Sequence, residues 1–547
     1  MITELTGAGA APLFRAESAA TMSGAGAAST LHAVRRSGGA LLLSTLLCAA
    51  LLPAPTRAQD APRTGAELAE FERHTSHDEL MSFLYDVQAR SDRMLIRHIA
   101  KTAEGRDLPL VILGAPPAAS PATAFFSGRP TVFFTGNVHG GERAGREGTL
   151  QLIRELAIGS ARPLLDRVNV LIVPSLNPDG AEERRRTNAL GYDMNRDFIV
   201  AETPEIAAIL EEVLLEWWPD VYVDVHNGGA YPYNLTYQAT LHPAADSALV
   251  AFARGPMFEA VRGHMQSRDM RLYWYSGPRR DADTGEWSWQ TTAPWARKQH
   301  SYGGLQNMIT LLYEIPGRWT LREQADNARE GMLGLLEFVA DNATAVRGTV
   351  TAARARTLHD PPQHVVVSVE QSAYPEAEQF YVMEEDEPRL VTGANRTLYV
   401  ATETRPRPWA YAFDARLNDL ADFLRRHDIQ VERLRTPAQV SAEKFRLTDI
   451  EWAEAPYQNH LNATPTVELV AEQMTLPEGT YLVRMTQNAA RLIPELMEPD
   501  TDDSVVVWNL LDHPIPNPHV LQNAERPYFL PIYRVMAPAA VKATLVD

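Results

Sequence analysis

The polar and apolar positions of HDELMSFLYDVQARSD, residues 77–92, repeat at helical spacing, with Leu80, Phe83, Leu84 and Val87 on one stripe. The period then shortens. RMLIRHIAK (93–101) and LPLVILGA (108–115) read as strands divided by the turn Glu104-Gly105-Arg106. Three unbroken apolar runs follow: TVFFTGNV (131–138), VNVLIVPSLN (168–177) and DVYVDVHN (220–227). Such runs suit strands buried on both faces. Between them, REGTLQLIRELAIG (146–159) and TPEIAAILEEVLLEWW (203–218) carry helical patterns, the second with Thr203 as N-cap and Pro204 at the first helical position. A further strand, NMITLLYEIPG (307–317), leads into the amphipathic helix LREQADNAREGMLGLLEFVADNA (321–343).

Buried strands alternating with helices predict an α/β fold, a mixed, mostly parallel twisted sheet with helices on both faces, closing near residue 345. The texture changes at TVTAARARTLHDPPQH and then gives strand-like and helical pieces such as QHVVVSVEQ and LNDLADFLRRHDIQVERL. This predicts a smaller C-terminal α/β or α+β domain over 346–547, following a first domain over 59–345. The second domain has apolar periodicity but no cluster of histidines and acids. Its acid-rich loop, with Asp500, Asp502 and Asp503, lacks a full calcium ligand pattern and reads as a solvated turn.

Composition narrows the setting. A chain of 547 residues, 45% hydrophobic and 22% charged, is long enough for two domains and has the balance of a folded globular protein. Arg35 and Arg36 precede the apolar run ALLLSTLLCAALL, and Thr56-Arg57-Ala58 precedes Gln59. Residues 1–58 therefore read as a leader with a signal peptide cleaved after Ala58, a retained anchor being the alternative. The expectation is an exported protein, periplasmic or extracellular, with no stable membrane insertion after cleavage. Cys48, the single cysteine, lies in that run, so the mature chain has no disulfide and no cysteine metal ligand. The formal net charge is −18, and the leader removes four arginines but only two acids. So acidic a chain argues against nucleic acid as a partner.

Candidate chemistry sits at the strand ends. His139 and Glu142 stand three apart in FFTGNVHGGERAGREGTL, where an open α/β sheet places its crevice. Gly140 and Gly141 offer the backbone freedom to aim both side chains at one point. Alone, the pair fits a polar loop as well as a metal site. His226 shifts the balance, because it ends another apolar strand, 84 residues after Glu142. Two imidazoles and one carboxylate make a three-ligand zinc set with an open position for water. Asp224 either backs His226 or is a polar strand-end residue. Between these ligands, Asn177-Pro178-Asp179-Gly180 signals a turn, and Arg184, Arg185, Arg186 and Asn195-Arg196 follow on loops. Guanidinium forks suit a carboxylate or an oxyanion, and an arginine run also suits a solvated face. Glu314 ends a mostly apolar strand, where an ionised carboxylate is costly unless paired. Beside a metal site it would be a general base.

Taken in order, Glu104-Gly105-Arg106, His139-x-x-Glu142, Asn177-Pro178-Asp179-Gly180, the arginine cluster, Asn195-Arg196, His226 and Glu314 resemble the zinc metallocarboxypeptidase family, the carboxypeptidase A-like peptidases. The resemblance spans roughly residues 75–340 and is nearest in texture to exported bacterial members. It implies a carboxypeptidase-like fold and one zinc ion per chain held by His139, Glu142 and His226. Glu314 would activate water and pass the proton to the leaving amine. Arg185, ahead of Arg186-Thr187, would polarise the scissile carbonyl, with Arg184 and Arg186 leaving the register open by one. Asn195 and Arg196 would clamp the free C-terminal carboxylate of a peptide substrate. The implied function is a zinc-dependent exopeptidase, a metallocarboxypeptidase. A zinc amidohydrolase or deacylase acting on acyl-amino acids or cell-wall peptides is the alternative, and a non-catalytic peptide-binding protein on the same fold is another. The family's active-site tyrosine has no clear equivalent here, Trp295 and Tyr302 being the candidates in QTTAPWARKQHSYGG. The C-terminal run QNAARLIPELMEPDTDDSVVVWN resembles the extra domain of those bacterial members.

Overall fold

The apolar runs become neighbouring strands of one eight-stranded sheet in the computed structural model, which describes residues 61–511 and 527–546. The expected signal segment, its cleavage point after Ala58 and Cys48 lie outside the described residues. The strands are β1 (Met94–Lys101), β2 (Asp107–Leu113), β3 (Thr131–Gly136), β4 (Asn169–Val173), β5 (Val221–Asn227), β6 (Leu235–Ala239) and β7 (Leu272–Trp274), then β8 (Gly277–Arg280), β9 (Trp287–Gln290) and β10 (Ile309–Ile315). Their order in the sheet is β1-β2-β4-β3-β5-β10-β6-β7, with β8 and β9 outside it. The centre, β4-β3-β5-β10, is parallel, while β1 and β2 on one side and β6 on the other join antiparallel. The sheet is mixed, as the periodicity implied.

Both faces are buried because the strand residues alternate between two apolar clusters. Phe133 joins Leu171, Tyr222 and Phe198 on one face, and Val132 and Phe134 join Val223, Leu150 and Leu336 on the other. The second of these faces is covered by helices Ala144–Ile158 and Leu321–Asp341, whose apolar stripes supply Leu152, Ile153, Leu156, Met332 and Leu335. The long helix starts on a capping box, Thr320 accepting from the Glu323 amide while Glu323 accepts from the Thr320 amide. Thr203 caps its helix through the Ile206 amide with Pro204 at the first position, as the sequence implied.

The other face is shared with the C-terminal residues. Phe413, Phe423, Leu496 and Trp508 belong to the same buried cluster as Phe198 and Tyr302. Helix Ala343–His359 runs through the boundary expected near residue 345. Beyond it, Ala377–Glu384 and Glu387–Arg396 pair in one sheet with β9 and β8, in the register Gly393↔Trp287. A seven-stranded sheet completes the chain and contains a long hairpin, Ala438–Trp452 with Ala463–Leu476. From Ala61 onward the chain forms one compact unit. Among the described residues, no helix is long and apolar enough to cross a membrane.

Candidate metal centre and active site

The parallel centre of the sheet brings the candidate residues to one end. β3 ends at Gly136, and the chain turns through Asn137, which takes a positive φ of 60°. Asn137 Nδ2 lies 2.8, 3.1 and 2.6 Å from the carbonyls of His139, Gly140 and Glu142, so one side-chain amide shapes the whole loop. The two glycines act differently from the expectation. Neither Gly140 nor Gly141 adopts a positive φ, and a Cβ on Gly140 would lie 2.2 Å from the Gly180 carbonyl carbon. Close packing of this loop on the Asn177-Pro178-Asp179-Gly180 turn, rather than a hinge, is what excludes a side chain there. Asp179 of that turn accepts from Thr102 Oγ1, the Glu104 amide and Arg106, tying the Glu104-Gly105-Arg106 turn to it.

On β5, His226 stands directly across from Glu314 on β10, and on the other side of β10 Glu314 faces Thr236. His139, Glu142 and His226 meet at one point, with one ligand atom from each lying within 4.8 Å of the others. His139 Nδ1 is 2.7 Å from Glu142 Oε1, His226 Nδ1 is 2.8 Å from Glu142 Oε2, and the two Nδ1 atoms are 3.2 Å apart. The far nitrogen of each ring is held by a second acid: His139 Nε2 lies 3.0 Å from Asp193, and His226 Nε2 lies 2.7 Å from Asp224. Asp224 therefore shares the face of His226 and backs it. It also accepts from Thr135 Oγ1 at 2.7 Å and is fully buried.

A cation at the trio would fix the tautomers: each Nε2 would then donate to Asp193 or Asp224, since an ionised carboxylate only accepts, and each Nδ1 would present its lone pair. Two lone pairs and a carboxylate converging within about 3 Å repel unless a cation joins them, and the donor set, two imidazoles and one carboxylate, suits zinc. The electrostatics agree. Burial lowers the proton affinity of His226, yet Asp224 and Glu142 raise it well above the ordinary value. His139 is raised in the same way by Glu142 and Asp193. Burial pushes Glu142 up, but the two imidazoles outweigh it and hold its carboxyl far below the carboxylate range. The pocket favours positive charge.

Glu314 differs from the other acids. Burial pushes it up to about 7, Glu142 adds to the rise, and His226 and His139 oppose it. Its carboxylate hydrogen-bonds Tyr275, whose own ionisation Glu314 and burial drive further up. A Cβ on Gly228 would lie 2.2 Å from Glu314 Oε2, so only glycine fits behind this carboxylate. Tyr275 follows the three-residue β7, too short a strand to stand out in the sequence. The tyrosine candidates named from the sequence lie elsewhere. Tyr302 is fully buried with its hydroxyl 2.9 Å from His427 Nδ1, and Trp295 packs against Arg297 and Lys298.

The arginine register also shifts. Arg184 takes a positive φ of 55°, and the Arg185 amide donates to Gly180, sending the Arg185 side chain back to Glu183 at 2.8 Å and Glu104 at 3.8 Å. Arg186, not Arg185, stands beside the trio, 3.5 Å from Glu142 and 2.8 Å from Asp193. Asn195 is at the site, its Nδ2 3.4 Å from His226 Nε2 and its Oδ1 accepting from the Gln299 amide at 3.0 Å. Arg196 donates to the Asn195 carbonyl, and no carboxylate among the described residues lies within ion-pair distance of it. Lys298 is buried nearby, where burial, Arg196 and Arg297 lower its ammonium to about 7. The acid-rich loop is no solvated turn, since Asp503 is fully buried against Arg297 and Asp500 pairs with Arg405.

This fold and this site define a class. The chain matches the zinc carboxypeptidase family over residues 80–255. It is a hydrolase of peptide bonds. Carboxypeptidase 2 of Trichophyton tonsurans is 24% identical over 463 residues, covering 80% of this chain and 84% of that protein. Human carboxypeptidase D is 33% identical over 196 residues, which are 27% of this chain and 14% of the relative. A metallo-carboxypeptidase structure from Burkholderia cenocepacia aligns with a TM-score of 0.39 at 22% identity, covering 49% of this chain and 70% of that one.

Proposed function

We propose that the protein is an exported zinc-dependent exopeptidase that removes residues from the free C-terminal end of peptides. The observation that carries this reading is the joint geometry of the two outward-facing Nδ1 atoms and Glu142, with Glu314 in register beside His226. His139, Glu142 and His226 would hold the metal. Zinc bound there would acidify water and polarise a carbonyl.

The chain's own residues supply the rest. Glu314, poised at about 7, takes a proton from the attacking water and returns it to the leaving amine. Tyr275 donates to Glu314 and keeps its carboxylate oriented. Arg186 is the guanidinium available to a developing oxyanion. Arg196, with no acid partner among the described residues, and Asn195 bind the terminal carboxylate, which restricts cleavage to chain ends. Export would proceed through the N-terminal leader, leaving the mature enzyme periplasmic or extracellular.

The test is metal analysis of the purified chain together with hydrolysis of N-blocked dipeptides, acyl-amino acids and muropeptides, with and without chelator. One zinc per chain and chelator-sensitive release of the terminal residue are expected. Glu314→Gln should retain zinc while turnover falls about a thousandfold or more. Activity in metal-free protein, or equal activity in Glu314→Gln, would overturn the proposal, and preference for acyl-amino acids or muropeptides would favour the deacylase reading.

A further inference from the structure

The residues beyond 346 hold the loop that carries the candidate substrate-binding side chains Asn195 and Arg196, and the segment around Arg297 beside it. The hairpin Ala438–Trp452/Ala463–Leu476 ends in a two-residue turn, with Tyr457 and His460 exchanging backbone hydrogen bonds of 2.8 and 3.0 Å. Its central residues, Gln458 and Asn459, both take positive φ, 51° and 62°. Such a turn prefers asparagine or glycine at these positions, and glutamine is disfavoured at a left-handed position. The side chain placed there has a specific task. Gln458 Oε1 accepts from the Asp193 amide at 3.1 Å, and Gln458 Nε2 donates to the Asp193 carbonyl at 2.6 Å. One glutamine thus pairs both backbone groups of the residue whose carboxylate holds His139 and Arg186. Asn459 hydrogen-bonds Tyr192, and His460 lies 3.2 Å from Glu202, so the tip grips the loop on either side of Asp193.

A second tie reaches the neighbouring segment. Asp503 accepts the Arg297 amide at 3.0 Å, pairs with its guanidinium at 2.6 Å and accepts Trp508 Nε1 at 3.0 Å. The Arg297 carbonyl accepts from Phe198, and the Gln299 amide donates to Asn195. Both ties converge on residues 193–198, which follow the arginine cluster and carry Asn195 and Arg196.

We infer that the hairpin tip at Gln458 and the segment at Asp503 are a built-in brace for the substrate-binding loop, and that Gln458 is a positioning residue that fixes Asn195 and Arg196 through the Asp193 backbone. The consequence for catalysis rests on the exopeptidase reading above, whereas the brace itself does not. The discriminating variant is Gln458→Gly, which removes both hydrogen bonds yet suits the left-handed turn, so the hairpin keeps its fold.

Two readouts on the full chain decide the matter. In hydrogen exchange, the Asp193 amide loses its acceptor and should exchange about fivefold faster or more, with the melting temperature unchanged or raised. In peptide hydrolysis, KM for an N-blocked dipeptide should rise about threefold or more while kcat stays within about twofold, because Arg186 and His139 still hold the Asp193 carboxylate. Unchanged exchange at Asp193, or an unchanged KM in active enzyme, overturns the inference. A lowered melting temperature with an unchanged KM overturns it as well, since the contact would then serve stability alone. If the wild-type chain cleaved no peptide on the panel, the exopeptidase reading would fall, and the exchange measurement alone would decide the brace.

Discussion

Replacing Asp224 with asparagine tests the metal centre without touching a ligand. Asp224 is fully buried, accepts from Thr135 at 2.7 Å and holds His226 Nε2 at 2.7 Å. Asparagine has the same shape and can keep its oxygen toward His226, because the Thr135 hydroxyl can accept from the new amide as readily as it now donates. The variant should fold. What changes is one charge-assisted hydrogen bond, worth about 1.5–3 kcal/mol, for a neutral one worth about 0.5–1.5 kcal/mol. The difference of about 1–2 kcal/mol corresponds to roughly five- to thirtyfold in zinc affinity. Loss of a buried negative charge near the cation adds to this, within the roughly 10–100-fold range usual for partners of metal-ligating histidines. Asp193→Asn should cost less, because Asp193 is 17% exposed and its charge is already shared with Arg186. The assay is competition for zinc against a chromophoric chelator at pH 7.5. Zinc affinity of Asp224→Asn within about threefold of wild type, or a larger loss in Asp193→Asn, would refute the tautomer assignment.

Two other outcomes follow from single buried or unpaired charges. Glu205 is fully buried with Oε1 unpartnered, and burial pushes it from 4.5 up to about 7. The folded state then keeps the proton that the unfolded chain loses, so stability present below pH 4.5 is lost as pH rises through 7, by about 3 kcal/mol. Glu205→Gln should therefore gain in urea midpoint at pH 8 and gain little at pH 5; an equal change at both would contradict this account. Arg196→Gln should raise KM for free-carboxylate peptides by about tenfold or more, since a charged hydrogen bond to the substrate is lost, and should leave KM for C-terminally amidated analogues unchanged. An equal effect on both substrates would remove Arg196 from the carboxylate site.

The central strands were legible because residues buried on both faces must be apolar throughout, and β3, β4, β5 and β10 are. The candidate site residues were legible for the complementary reason, since His139, His226 and Glu314 end apolar runs where nothing in packing calls for a charge. Tyr275 was hidden by the brevity of its strand, and Asp193 by its place in a loop whose partner, His139, is 54 residues away. Asp224 stood in plain view, but its side of the strand became known only from the contact with His226. Arginine 185 or 186 could not be chosen from spacing, because the choice depends on the positive φ at Arg184.

The amino-acid sequence by itself determined the α/β layering and pointed to the candidate metal ligands and the candidate base, all of which follow from local pattern and from the cost of burying charge. Only the tertiary structure decided which arginine faces the site, which acids hold the two imidazoles, and how far the C-terminal residues enter the catalytic half. Those features arise from contacts between segments up to 265 residues apart, as Gln458 with Asp193, and no local period encodes them.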